Sequence, residues 1–410
     1  MNTTTPVAVF QLVPDPYTHS GLALVRTLGR LGVPVYAVYS EHRAPAASSR
    51  HARATLVWND WDNSGSVISH LLELGEEIGQ RAILIPYDDA SALLVDENAD
   101  LLREHFIFPE RPPDLALSLA DKRTMSALCQ RLGIPTAKTD STASDDEFCS
   151  FIEQASFPLV LKGARSWIPG LPSRTTIMVA QTPAEALSAY RDMGEAERSN
   201  LMLQEYIPGG PDSVWMFNGY FDEHSECLVA FTGKKIRQSP PYTGATSLGV
   251  CIWNASVAET TTEFMKAIGY RGILDIGYRF DARDGQYKLL DVNPRVGSTF
   301  RLFVDPTNGM DVVRALYLDL TGQTVPTAQQ REGRKWVVEP WDMRSSIEYR
   351  KDGRLTVRDW LRSFRNVEEA AWFAVDDPVP SIMMSARLSA NALRKSARSV
   401  GEAIRGRHPA

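Results

Sequence analysis

The segment from Gly285 to Thr299 constrains this chain most: its alternation of apolar and polar residues is that of a strand, with Asp291, Asn293 and Arg295 on one side. Pro294 has no amide hydrogen for a ladder, so pairing ends there and the polar cluster lies at a strand end, within reach of a ligand. A carboxylate and an amide oxygen two residues apart suit Mg²⁺, which takes hard oxygen ligands, and an arginine two further on grips a phosphate oxygen in fork geometry. The same residues also fit a strand that runs into an Asn-Pro turn beside a solvated arginine. Upstream context has to choose between these readings.

Asp121, Lys122 and Arg123 open a helix-like run that ends at Leu132, Gly133, Ile134 and Pro135. Phe157 to Gly163 then reads as a short apolar strand with Lys162 near its end, followed by a loop holding Gly163, Pro169, Gly170, Pro172 and Ser173. A lysine beside a glycine-bearing loop suits the covering of phosphates, the amine bringing charge and the backbone N–H donors. Residues 201–209 form a further strand that reaches Glu205 and breaks at Pro208 and Gly209. Glu205 has the chemistry to accept from an adenine amino group, and Asp212 to hold ribose hydroxyls.

In this order the motifs resemble the ATP-grasp superfamily, particularly its carboxylate-amine ligases and the carbamoyl phosphate synthetase and biotin carboxylase branch, from about Ser118 to Arg301. The resemblance implies ATP and Mg²⁺ as cofactors. It assigns Lys122 and Lys162 to the nucleotide phosphates, Gln204, Glu205, Tyr206 and Ile207 to the adenine hinge, and Asp212 to the ribose. Asp291 and Asn293 match the metal ligands, and Arg295 the arginine that faces the transferred phosphoryl group. One position departs from the pattern: a second metal ligand is expected on the preceding strand, where this chain has Gly277. Asp275, on the same strand face, substitutes if the register shifts or bulges, or a water fills the place. A structural contact between Asp275 and Arg279 is the alternative.

A chain of 410 residues suggests roughly two to three domains. Residues 7–117 alternate short apolar strands with helices, as in a parallel doubly wound sheet, and family members carry such a Rossmann-like domain ahead of the ATP-binding part. The expected architecture is therefore α/β and α+β multidomain: a Rossmann-like domain over 1–117, an ATP-grasp domain over 118–325 with a lid at about 155–205, and a C-terminal extension over 326–410. Residues 15–21 follow the first strand, where a small ligand fits a helix N-terminus. Asp88 and Asp89 either face the cleft or cap a helix. Alternation puts Lys235 and Arg237 on one strand face, suited to a carboxylate or acyl phosphate, or else they belong to a solvent-facing basic strand. Ser298, Thr299 and Arg301 are the complementary candidates for holding the acid.

In the extension, residues 335–342 read as a strand, 355–364 as a short helix and 374–380 as a linker. The last segment spaces Ile382, Ala386, Leu393, Ala397, Val400 and Ile404 as a helix with Arg387, Arg394, Lys395, Arg398, Arg405 and Arg407 against Glu402. This basic amphipathic helix fits packing on its own chain, a frayed tail, a membrane surface or a subunit contact.

A net charge of −6 and the absence of a basic stripe argue against nucleic acid as the main partner. The four cysteines show no C-x-x-C pairing, so neither a zinc centre nor a redox pair is expected. The first residues lack a basic region and a long apolar run, and no apolar stretch approaches spanning length, so no integral membrane protein and a cytoplasmic location are expected. The resemblance implies ATP-dependent joining of a small carboxylic acid to an amine through an acyl phosphate, with Lys162, Arg295 and Arg237 as the catalytic cations. A phosphotransferase and a non-catalytic nucleotide binder are the alternatives, and a homodimer is compatible with the sequence.

Overall fold

The computed structural model describes residues 1–405 apart from Pro16, His42, Asp62, Ala143, Ser166 and 168–176, with side chains described to residue 394. Most of the expected nucleotide-covering loop, Gly163 to Ser173, lies outside the described residues, as do the side chains of Lys395, Ala397, Arg398, Val400, Glu402, Ile404 and Arg405, and all of Arg407.

The N-terminal sheet is parallel: β1 (Val7–Phe10), β2 (Val35–Tyr39), β3 (Ala54–Val57), β4 (Ala82–Pro86) and β5 (Phe106–Ile107), in the order β3-β2-β1-β4-β5. All four residues of β1 are buried, which is why it reads as an unbroken apolar run and not as an alternating strand. Helix Ser20–Gly29 covers one face, and helix Ser64–Ile78 covers the other through Val67, Ile68, Leu71 and Leu74. The strand order reverses between β1 and β4, so their carboxyl ends open a crevice.

A small antiparallel sheet follows, of β6 (Thr139–Asp140), β7 (Leu159–Gly163), β8 (Met178–Ala180) and β9 (Leu201–Glu205) in the order β6-β9-β7-β8. Helices Asp145–Gln154 and Pro183–Asp192 pack on it, with Phe148 stacked on Tyr190 at 3.9 Å.

The third sheet has seven strands: β10 (Val214–Phe221), β11 (Cys227–Ser239), β12 (Ala245–Cys251), β13 (Gly272–Asp281), β14 (Gln286–Asn293), β15 (Lys335–Val337) and β16 (Val367–Ala370), in the order β14-β13-β10-β11-β12-β15-β16. Alternation gives it two distinct faces. Trp215, Phe217, Leu274, Ile276, Tyr278, Leu289 and Val292 form a core with helices Lys122–Arg131 and Ala255–Ala267. Met216, Phe231, Phe303 and Trp336 point the other way, into a core continuous with β1, β2 and β4. Burying one residue such as Phe303 is worth about 1.5–3 kcal/mol, so this shared core ties the two sheets together.

The C-terminal residues add β15 and β16 to this sheet. The expected strand at 335–342 stops at Val337, and helix Glu339–Lys351 starts there with Pro340 in its first turn, where a missing N–H costs nothing. The expected linker is held down: buried Asp377 accepts from Arg26 Nε at 2.9 Å, and Arg26 Nη2 donates to the Trp372 carbonyl at 2.9 Å. The final helix, Val379–Arg405, packs on its own chain through Met384, through an ion pair from Arg387 to Glu41, and through Asn391 on the Tyr17 hydroxyl. Ile382 and Leu393, the large described residues of the apolar stripe, stay exposed. Among the described residues no helix is long and apolar enough to cross a membrane.

Candidate functional site

On one face of the seven-stranded sheet, Asp291 pairs across to Gly277 and Asn293 to Asp275. A Cβ at Gly277 would sit 2.9 Å from Asp291 Oδ1, so the missing side chain is what lets the Asp291 carboxylate lie over the sheet. Asn293 Nδ2 donates to Asp275 Oδ2 at 3.1 Å and to Asp291 Oδ2 at 3.4 Å, so one amide touches both carboxylates. The turn after Asn293 folds back over them: a Cβ at Gly297 would lie 2.4 Å from Asp275 Cγ, and only glycine fits there. Burial raises the Asp275 pKa; Arg295 offsets part of this and the neighbouring Asp291 charge adds to it. Two carboxylates are a hard donor set with excess negative charge, which fits Mg²⁺ completed by waters, and the Asn293 amide, whose oxygen here accepts from Arg295, would join them by turning over. Among the described residues no group of three His, Cys, Asp or Glu side chains comes together. Arg279 does not contact Asp275; it lies over the Tyr206 ring at 5.5 Å and donates to the Gly209 carbonyl.

Cations surround this cluster. Lys162, next to last in β7, is 7% exposed, and its pKa is lowered to about 7 by burial first and by Lys122 second, against the pull of Asp291. Lys122 begins helix Lys122–Arg131, which Asp121 caps through the Arg123 amide at 2.9 Å, and its own amide donates to the Ala164 carbonyl at 3.1 Å. The two lysines expected on nucleotide phosphates are thus neighbours. Lys235 is held below its ordinary pKa by burial, with Asp291 and Asp275 opposing, so it belongs to the same charge cluster. Arg295 donates from Nε to Asp89 Oδ1 at 2.9 Å and from Nη2 to Asn293 Oδ1 at 3.1 Å. Burial works against its charge, yet Asp89 and then Asp275 outweigh it and its pKa is raised.

Three expectations need correction. Arg237 does not share the face of Lys235, because the register shifts on both sides of it and interrupts the alternation. It turns to the C-terminal helices and makes two bonds to Asp342, at 2.7 and 2.9 Å, and one to Ser363 Oγ at 2.9 Å, with both ion-pair partners buried. The guanidinium is thus engaged by the C-terminal helices and directed away from the Lys235 face. Arg301 is likewise occupied, bonding Glu369 at 2.7 and 2.8 Å and Asp311 at 2.7 Å, so it is not open to an acid. Glu369 lies on β16, distant in sequence, and no local motif announces the pair. The Glu205 carboxylate is taken by Arg283 and by the Lys138 amide at 3.2 Å, so it is already engaged where the sequence offered it as an acceptor.

The remaining candidates keep open places. Gln204 is buried and donates to Thr139 Oγ1 at 3.2 Å, Ile207 is buried, Tyr206 lies under Arg279, and Asp212 is exposed with its charge near Arg279. The Ser298 carbonyl accepts from His19 Nε2 at 3.1 Å. His19 occupies the N-cap position of the first helix without a capping bond from its side chain, in a buried site between Trp336 and Trp341, and burial lowers its pKa to about 4, so the ring is neutral at physiological pH. Asp88 follows the capping expectation, forming a capping box with Ser91 and accepting from the Leu12 and Val13 amides. Asp89 pairs with Arg295 at 2.9 Å. Sequence reasoning did not single out His19 or Arg283, and it gave Arg279 a different partner, since the contacts of His19 and Arg279 and the Arg283–Glu205 pair join positions distant in sequence.

No family model matches the chain. It is 24% identical over 320 residues to the D-aspartate ligase of Enterococcus faecium (strain Aus0004), covering 73% of this chain and 75% of that protein. The biotin carboxylase domain of Hydrogenobacter thermophilus 2-oxoglutarate carboxylase, solved with MgADP, ADP and bicarbonate, superposes with a TM-score of 0.60 at 18% identity, over 80% of this chain and 73% of that one. The L-amino acid ligase from Bacillus licheniformis gives a TM-score of 0.60 at 14% identity, over 82% and 79% of the two chains. At these identities the structural likenesses establish a shared fold.

Proposed function

We propose, with the ATP-grasp fold of the carboxylate-amine ligases as the premise, that this chain is an ATP-dependent enzyme that joins a small carboxylic acid to an amine, releasing ADP and phosphate. One observation carries the reading: Asp275, Asp291 and Asn293 meet on one sheet face, ringed by Lys162, Lys235 and Arg295. Lys122 and Lys162 take the nucleotide phosphates, the hinge from Gln204 to Ile207 the adenine, and Asp212 the ribose. Asp291, Asn293 and Asp275 hold Mg²⁺, which when bound offsets phosphate charge and aligns the γ-phosphoryl group. Asp275 replaces the ligand that Gly277 lacks. Lys235 and the turn at Ser298 hold the acid.

A carboxylate is a poor acyl donor because its oxide will not leave. Transfer of the γ-phosphoryl group to one carboxylate oxygen gives an acyl phosphate and ADP. The amine then adds to the carbonyl carbon, the C–O bond to phosphate breaks, and the amine loses a proton as the amide forms. Arg295 stabilises the charge on the transferring group, Lys162 that on the departing ADP, and no protein nucleophile is required. The name of the sequence relative favours an amino acid as the acid. The domain division at about 117 and 325, the lid at about 155–205, a cytoplasmic location and a homodimeric assembly are part of the same proposal.

The deciding experiment offers Mg-ATP with amino acids, dipeptides and other acids, singly and in pairs, with mass spectrometry of products. ADP formed only with an acid-amine pair, and a product lighter than their sum by one water, is the expected result. ADP with one substrate and a phosphorylated product would replace the ligase with a phosphotransferase.

Lys162 adds a test that needs no turnover. With its pKa near 7, the amine is mostly neutral at pH 8, whereas bound phosphates raise that pKa, so nucleotide binding at pH 8 should take up about one proton. Calorimetry in buffers of different ionisation enthalpy measures it, and the uptake should vanish in Lys162→Met. No uptake in the wild type would remove Lys162 from the phosphate site.

A further inference from the structure

The turn that follows the metal-binding strand is gripped from the N-terminal sheet by three side chains. Asp89 accepts from Arg295 Nε at 2.9 Å, Arg111 Nη1 donates to the Pro294 carbonyl at 2.6 Å while its other terminal nitrogen meets Asp96 at 3.1 Å, and His19 donates to the Ser298 carbonyl at 3.1 Å. Asp89 is the first residue of helix Asp89–Glu97, directly beyond the carboxyl end of β4, and it is the one of the three that reaches the guanidinium itself. Both partners of this ion pair are largely buried, with side-chain exposures of 17% and 12%.

We propose that Asp89 is a positioning residue that orients Arg295 toward the transferred phosphoryl group; the inference rests on the ligase reading above. A guanidinium carries five N–H bonds in a fixed fork. The described contacts of Arg295 take three: Nε to Asp89, Nη1 to the Val296 carbonyl at 3.0 Å, and Nη2 to Asn293 Oδ1. Each terminal nitrogen thus keeps one N–H beyond these described contacts, and two such donors on one fork suit the oxygens of a phosphoryl group. Of the three acceptors only Asp89 is charged, so it dominates the orientation. It also lies on a helix of the N-terminal region, which thereby takes part in the chemistry through Arg295.

The test compares Asp89→Asn, Asp89→Glu, Arg295→Lys and the double variant Asp89→Asn with Arg295→Lys, using ADP formation, ADP affinity and thermal unfolding. Asp89→Asn should lower kcat about 10- to 100-fold with KM for ATP and ADP affinity within about threefold, the scale of a misplaced catalytic group. Asp89→Glu keeps the charge at the helix start and should also lower kcat at an unchanged unfolding midpoint, which a purely structural role does not predict. In the Arg295→Lys background, where no fork remains to be oriented, Asp89→Asn should cost less than about threefold. Full multiplication of the two effects, or wild-type kcat in Asp89→Asn beside a damaged Arg295→Lys, would overturn the positioning role and leave the ligase reading standing. Wild-type kcat in Arg295→Lys would overturn both the role given to Arg295 and the inference built on it.

Discussion

Asp291→Ala is expected to abolish ADP formation, a loss of at least about a thousandfold, while the folded state keeps its stability. The two halves of this expectation have one cause. Asp291 lies against Asp275, whose pKa is raised in part by the Asp291 charge, and both touch the single amide of Asn293. Asp291 repels Asp275 and attracts Lys162 and Lys235, two effects that oppose each other in the free protein, so removing it shifts stability little while it takes a ligand from the proposed Mg²⁺ site. Activity and stability should therefore separate: ADP release falls to background and the unfolding midpoint holds. A chain that turned over ATP at near wild-type rate without Asp291 would have its nucleotide chemistry elsewhere. A variant that failed to fold would show that the carboxylate supports the sheet, not the reaction.

The largest stability effect is expected at Asp342. This buried carboxylate accepts two bonds from Arg237 and one each from Ser247 and the Trp360 ring nitrogen, the last at 3.0 Å. Asp342→Ala leaves the Arg237 guanidinium inside the protein without its counter-charge, which costs about 3–5 kcal/mol, whereas replacing both partners with apolar residues of similar size is far milder. In denaturant titrations Asp342→Ala should thus lose several kcal/mol, and the double variant Arg237→Met with Asp342→Leu should recover most of it. Nucleotide affinity should be retained in the double variant, because Arg237 lies outside the charge cluster. If Asp342→Ala instead left stability intact and altered KM for the acid, the structural role assigned to Arg237 would fail and its role as a substrate ligand would return.

These two residues also mark how far the sequence can be read. Asp291, Asn293 and Arg295 were legible because a strand has a period of two and a proline ends it, and their relation depends on one short segment. Lys162 was legible as a lone cation at the end of an apolar run. Arg237 was misread by the same rule. Alternation holds only while the ladder is regular, and a shift on each side of Arg237 is set by partners on β12 and on helix Glu339–Lys351 that no local pattern reveals. Arg301 and Glu205 failed for a related reason: a charged side chain near a motif looks available until a counter-charge from a distant strand or hairpin is seen to occupy it.

By itself, then, the sequence determined the kinds of elements, the parallel character of the N-terminal sheet, and the donor chemistry of the site, because hydrophobic period, strand-ending prolines and ligand types are local properties. Only the tertiary structure decided which charges remain open for a ligand. Asp275 comes opposite Asn293 because the β13–β14 register shifts between Gly277 and Tyr278, Arg295 is bonded by an aspartate from a helix of the N-terminal region, and Arg237 and Arg301 are neutralised by the C-terminal strand and helices. A buried charge takes its pKa and its orientation from whatever packs against it. Those neighbours are chosen by the packing of cores that lie far apart along the chain.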